Sequence, residues 1–89
     1  MNYLNALLMM LSMFFAPFGN AQSTLLESVK RKPLEAKAMC KDFRKYNSQG
    51  LSTSSIEVIN EISHQKKLST TDSEILSIYV IGMHCPDVK

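Results

Sequence analysis

The sequence predicts an all-α fold: a small three- to four-helix domain closed by one disulfide, behind an N-terminal signal peptide. Three observations predict it. Apolar residues beyond Pro33 recur at three- and four-residue steps, the period of a helix with one buried face. Ser/Thr-x-x-Glu patterns precede the helical runs, and each is a helix-start signal. Cys40 and Cys85 are the only two cysteines in 89 residues, and they fall in the first and last of the strongly patterned segments.

The chain begins with Leu4, Ala6–Leu11, Met13–Ala16 and Phe18, an apolar run without a charged residue, and the first Lys or Arg is Lys30. The run breaks at Pro17. Gly19-Asn20-Ala21 then places small residues at the −3 and −1 positions of a cleavage site, the layout of a secretory signal peptide over residues 1–21. The alternative is an uncleaved membrane anchor. A spanning helix needs about 20 apolar residues, and this run is nearer 15 with a proline inside it. Cleavage after Ala21 leaves Gln22–Lys89 with no transmembrane span. A mature chain of about 68 residues buries too little surface to be secure without a staple. Export, to periplasm or medium, supplies the oxidising compartment in which two cysteines provide one.

The mature part divides at residue 33, into a short N-terminal helix with a basic linker (22–32) and a disulfide-closed helical domain (33–89). Ser23 or Thr24 is a candidate cap for the first helix, with Thr24-x-x-Glu27 as a capping box and Leu25, Leu26 and Val29 as its apolar side. Lys30-Arg31-Lys32-Pro33 interrupts it, because a residue before proline is biased out of the helical region. The second helix runs from Pro33 to about Asn47, with Ala36, Met39, Cys40, Phe43 and Tyr46 on one face and Gly50 at the exit. The third opens on Ser54-x-x-Glu57 and ends near His64 to Lys67, with Ile56, Val58, Ile59 and Ile62 as its stripe. The fourth opens on Thr71-x-x-Glu74. Ile75, Leu76, Ile78, Tyr79, Met83 and Cys85 supply its core side, and Pro86 stops it. It is apolar nearly all round, which marks it as the central helix. Gly82 inside it suggests close approach by a neighbouring helix.

Few residues invite chemistry. A disulfide between Cys40 and Cys85 would join the second helix to the last. In the chain-entropy treatment a loop of this length contributes about 4 kcal/mol, on the scale of the whole stability of so small a domain. Reactive or metal-binding thiols are the alternative, and no CxxC spacing supports them. His64 falls on a solvated face and His84 near a helix C-terminus, where it would complement the dipole. With Met83, His84-Cys85-Pro86 contains the Cys-Pro dipeptide of some haem-responsive sites, so a haem or metal carrier is the trailing alternative, with His64 and His84 as metal candidates. No Gly-x-Ser-x-Gly elbow, paired-carboxylate cleft or metalloprotease helix occurs, which argues against an enzyme. No cofactor is expected.

Charge is more informative. Ten basic and eight acidic residues give a net +2, unevenly spread. Lys30, Arg31, Lys32, Lys37, Lys41, Arg44 and Lys45 crowd the stretch from Lys30 to Lys45 against Glu35 and Asp42, while acids outnumber bases from Tyr46 onward. This basic stripe is the candidate contact surface for an anionic partner: lipid headgroups, an acidic surface polymer or an acidic protein. An ordinary solvated helix face would look the same. Export, and the lack of aromatic residues interleaved on that face, argue against nucleic acid.

Two family resemblances follow. Ala36-Lys37-Ala38-Met39-Cys40, then Gly50-Leu51-Ser52, then Leu68-Ser69 before an apolar helix ending in His84-Cys85-Pro86, resembles domain of unknown function 732, small exported proteins best known from mycobacteria. It covers roughly Pro33 to Val88 and implies an all-α fold with the cysteines bridged and no assigned activity. The chain is rich in Lys, Ile and Ser where that family favours Ala and Gly. Cys40-Lys41-Asp42-Phe43, with its partner cysteine far downstream, is similar to the periplasmic acid-stress chaperones of the HdeA type, which implies exposure of apolar surface when carboxylates are protonated. The reading that unites these features is a bacterial exported, non-enzymatic helical module that binds a protein, envelope or surface partner; an acid-stress chaperone is the alternative.

Overall fold

The computed structural model describes residues 21–89. Four α-helices follow one another there: α1 (Ala21–Arg31), α2 (Pro33–Ser48), α3 (Ile56–Lys66) and α4 (Thr70–His84). The leader expected over residues 1–21 lies outside the described residues, Ala21 excepted. The all-α expectation holds, and α4 is the central helix: α1, α2 and α3 each pack against it, and α1 also touches α2. Phe43, Val58, Val80 and Cys85 are fully buried at the centre, with Val29, Met39, Cys40, Ile62, Leu76 and Val88 around them.

The first helix departs from its expected start. It is already under way at Ala21, so Thr24 sits inside a turn rather than capping one. It also runs through Lys30 and Arg31 and breaks only at Lys32. Lys32 has φ −123° and ψ 66°, outside the helical region, as the following proline demands. Pro33 then opens α2, where its missing N–H leaves no bond unmade.

Helix α2 buries Ala36, Met39, Cys40 and Phe43, the face its spacing predicts. Its exit is a two-bond turn. Gly50, at φ 82°, donates its N–H to the Asn47 carbonyl at 3.0 Å, and Leu51 N–H reaches the Tyr46 carbonyl at 2.9 Å. Those bonds satisfy carbonyls that a helix end leaves bare, and the left-handed residue between them suits glycine.

Two cap assignments are corrected. Ser55, not Ser54, precedes α3, and its side chain makes no capping bond. Ser54 is held in the preceding turn, where its N–H and Oγ both meet Ser52 Oγ. At α4 the cap is Ser69, not Thr71: Ser69 Oγ accepts from Asp72 N–H at 3.1 Å. Overlapping Ser/Thr runs offer the same pattern in several registers, and the backbone enters the helix at only one of them.

Burial also differs from the expected stripes. Ile56 is 71% exposed, Ile78 60% and Met83 45%, so none of the three belongs to the core. Val80 takes a place in α4 beside Leu76, together with Ser73 and Ser77. These serines bury their hydroxyls by donating to carbonyls one turn back, Ser73 to Ser69 at 2.8 Å and Ser77 to Ser73 at 2.9 Å. Gly82 is exposed, and a methyl group there would meet no atom within 4 Å. Among the described residues no other helix approaches it closely, contrary to expectation.

Candidate functional site

The disulfide is formed. Cys40 and Cys85 are bonded across a sequence separation of 45, with Cα atoms 6.0 Å apart. The bond ties α2 to the C-cap of α4, and both cysteines are buried. Cys85 sulfur is therefore not available to a haem or a metal. His64 lies exposed at the end of α3, and His84 is the last residue of α4. A helix the length of α4 spans about 20 Å, so the two histidines stand at opposite ends of it and share no site. Among the described residues no group of three His, Cys, Asp or Glu side chains is placed to hold a metal ion. His84 Nε2 is buried without a hydrogen-bond partner.

The basic stripe splits into two parts. All seven residues are exposed, but three of them are drawn into ion pairs. Arg31 meets Glu27 at 3.6 Å one turn back, and Lys32 stands 4.0 Å from Glu35. Arg44 forks onto Asp87, Nε to Oδ2 at 3.3 Å and Nη2 to Oδ1 at 3.2 Å. That bond pulls the C-terminal segment against α2 and holds the Asp87 carboxyl below the usual range. Lys37, Lys41 and Lys45 remain as a row at four-residue spacing along the outer face of α2. Leu34, 80% exposed, precedes Lys37 by three residues and Lys41 by seven, which sets it on the same face. Lys30 stands on α1.

A second feature was not foreseen from the sequence. A cavity of about 230 Å³ opens between α1, α2, α4 and the turn after α3. Leu25 and Val29 of α1, Ala36 and Met39 of α2, Leu68 of the turn, and Leu76 and Val80 of α4 form its walls. Lys67 adopts the left-handed conformation, φ 55°, and so folds Leu68 back. Ser63 secures that turn by accepting Leu68 N–H on its carbonyl at 3.1 Å and donating Oγ to the Leu68 carbonyl. At the mouth Lys66 Nζ bonds Glu35 Oε1 at 2.5 Å. The hydrogen bond from Lys66 and its charge, helped by Lys32, hold the Glu35 carboxyl below its usual range. The apolar halves of these helices were legible separately. Nothing in the spacing said that the end of α3 would meet the start of α2 and set Lys66 beside Glu35.

The model of a family described as domain of unknown function (DUF8664) matches residues 26–85. The chain belongs to this family. The matched span takes in most of α1, all of α2, α3 and α4, and both cysteines. It is a domain of unknown function, as the resemblance to domain 732 implies at that level, under a different family number. No curated protein and no solved structure matches the chain. Among the described residues no helix is long and apolar enough to cross a membrane, and a closed disulfide is at home in an oxidising compartment.

Proposed function

We propose that this DUF8664 domain is an exported, non-enzymatic binding module that lays the outer face of α2 against an anionic surface of the cell envelope. One observation carries the reading: Lys37, Lys41 and Lys45 form an exposed row that continues from Leu34, which is itself 80% exposed. Cations in line with an exposed aliphatic side chain suit an interface of anionic headgroups, where each basic residue contributes about 1 kcal/mol. The opposite face of α2 holds Met39, Cys40 and Phe43 in the core, so the outer face is presented on a stapled helix. The leader and the disulfide support export.

Co-sedimentation with phosphatidylglycerol vesicles tests this. The protein should pellet with them, release as salt rises, and ignore phosphatidylcholine vesicles. Changing Lys37, Lys41 and Lys45 together to Gln should weaken binding roughly a hundredfold, at about 1 kcal/mol each. Equal binding by the triple variant and the parent would overturn the reading.

The acid-stress chaperone gains support from one feature. Glu35–Lys66 and Asp87–Arg44 both link separate segments, and acid would release both. Light scattering of an aggregating client at low pH tests it, and no protection at equimolar protein removes it.

A further inference from the structure

We propose that the cavity between α1, α2 and α4 is a binding site for a small aliphatic carboxylate, a straight-chain acyl anion. Core side chains normally pack with few voids larger than a water molecule. Here Val29, Met39, Leu76 and Val80 are buried core residues, yet they also wall an opening of about 230 Å³. At the ~30 Å³ that a water occupies in the liquid, this volume accepts on the order of eight non-hydrogen atoms. An apolar wall of this kind selects a hydrocarbon. The polar groups on the lining are Thr24 and Ser28 of α1, Lys32, Glu35 and Lys66. Seven apolar side chains outnumber them, so a sugar or a nucleobase would set polar atoms against hydrocarbon.

The mouth selects the charge. Lys66 and Lys32 share the single carboxylate of Glu35, at 2.5 Å and 4.0 Å. Two ammonium groups against one carboxylate leave one positive charge at the rim. A ligand carboxylate completes that set with its tail inside, whereas a ligand ammonium adds to the imbalance. The site is separate from the outer face of α2. Ala36 and Met39 line the cavity, while Lys37, Lys41 and Lys45 lie on the other side of the helix.

Methyl NMR of the full chain, titrated with sodium octanoate, octylammonium chloride, octan-1-ol and sodium acetate, tests the proposal. Octanoate should shift the Val29, Met39, Leu76 and Val80 methyls saturably, at least tenfold tighter than octylammonium, and acetate should leave them in place. Lys66→Gln, a change at the rim, should remove the preference for octanoate over octanol while octanol still enters. Three results would overturn the assignment: no saturable shift with octanoate, equal affinity for octylammonium, or shifts of the same methyls on concentrating the protein alone, which would give the cavity to a second copy. All three concern the parent chain, so the outcome does not depend on any variant folding.

Discussion

Asn47 pairs with Lys89 as a neighbouring strand would. Its Nδ2 donates to the Lys89 backbone oxygen at 2.8 Å, and its Oδ1 accepts the Lys89 N–H at 2.8 Å. The same Nδ2 also reaches the Leu51 carbonyl at 2.9 Å, and Thr53 N–H donates to the Lys89 oxygen at 2.9 Å. One amide side chain thus fastens the C-terminal segment to the turn after α2 and keeps Val88 in the core. Asn47→Ala should cost about 2 kcal/mol, since the bonds it makes are partly open to water. The urea midpoint should fall with little change in slope, and the Thr53 amide should lose protection against hydrogen exchange. Unchanged Thr53 protection would show that the latch does not hold the segment.

The disulfide should carry much of the stability. Replacing Cys40 and Cys85 by Ala removes a loop constraint worth about 4 kcal/mol, and both positions are buried. The double variant should melt far below the oxidised parent or fail to fold cooperatively. Reduction should make the parent two hydrogens heavier in a mass spectrum and lower its Tm in the same direction. A parent that gains no hydrogens under reductant would mean the bond is absent in solution.

The same substitution should have opposite signs at two glycines. Gly82 lies in a helix with open space where a methyl would go, so Gly82→Ala should stabilise by about 1 kcal/mol. Gly50 has φ 82°, which alanine resists, so Gly50→Ala should destabilise by about 1 kcal/mol. Urea unfolding of the two variants checks both signs.

Acid should weaken the two cross-links at the surface. Glu35 is held low by the Lys66 hydrogen bond and charge, and Asp87 mainly by its hydrogen bond from Arg44. A carboxyl depressed in the folded state stabilises at pH values above its unfolded pKa, and that contribution is lost as pH falls through the folded one. The loss therefore falls below about pH 4. The Asp87–Arg44 pair is exposed and the Glu35–Lys66 pair partly so, and the effect is small and screened by salt. Glu35→Gln with Asp87→Asn should flatten the fall in Tm between neutral and strongly acid pH, and high salt should flatten the parent. An equally steep fall in the double variant would assign acid sensitivity elsewhere.

How much was legible varied with the kind of signal. Ala36, Met39, Cys40 and Phe43 mark one face of α2 without ambiguity, because polar residues fill the others, and the structure buries all four. Helix α4 carries apolar residues nearly all round, so its pattern could not choose a face. The choice fell to Leu76 and Val80 with Ser73 and Ser77, and it left Ile78 and Met83 outside. The site shows the same division. Lys37, Lys41 and Lys45 are a feature of one helix and were readable. Arg44 was read as part of that row, but its guanidinium turns to Asp87, more than forty residues along. Asn47, which the spacing marks only as the end of a helix, is the latch for Lys89.

The sequence by itself determined the helices and the pair of cysteines, because helix period, a proline at the first turn and a glycine at the exit act within a few residues of one another. It also placed Lys37, Lys41 and Lys45 on one outer face of α2. Only the tertiary structure decided which serine enters each helix, which isoleucines stay in water, and where a cavity opens beneath Lys66 and Glu35. Those outcomes depend on how three helices lean on α4. That arrangement is settled by packing between residues far apart in the chain, and no local spacing records it.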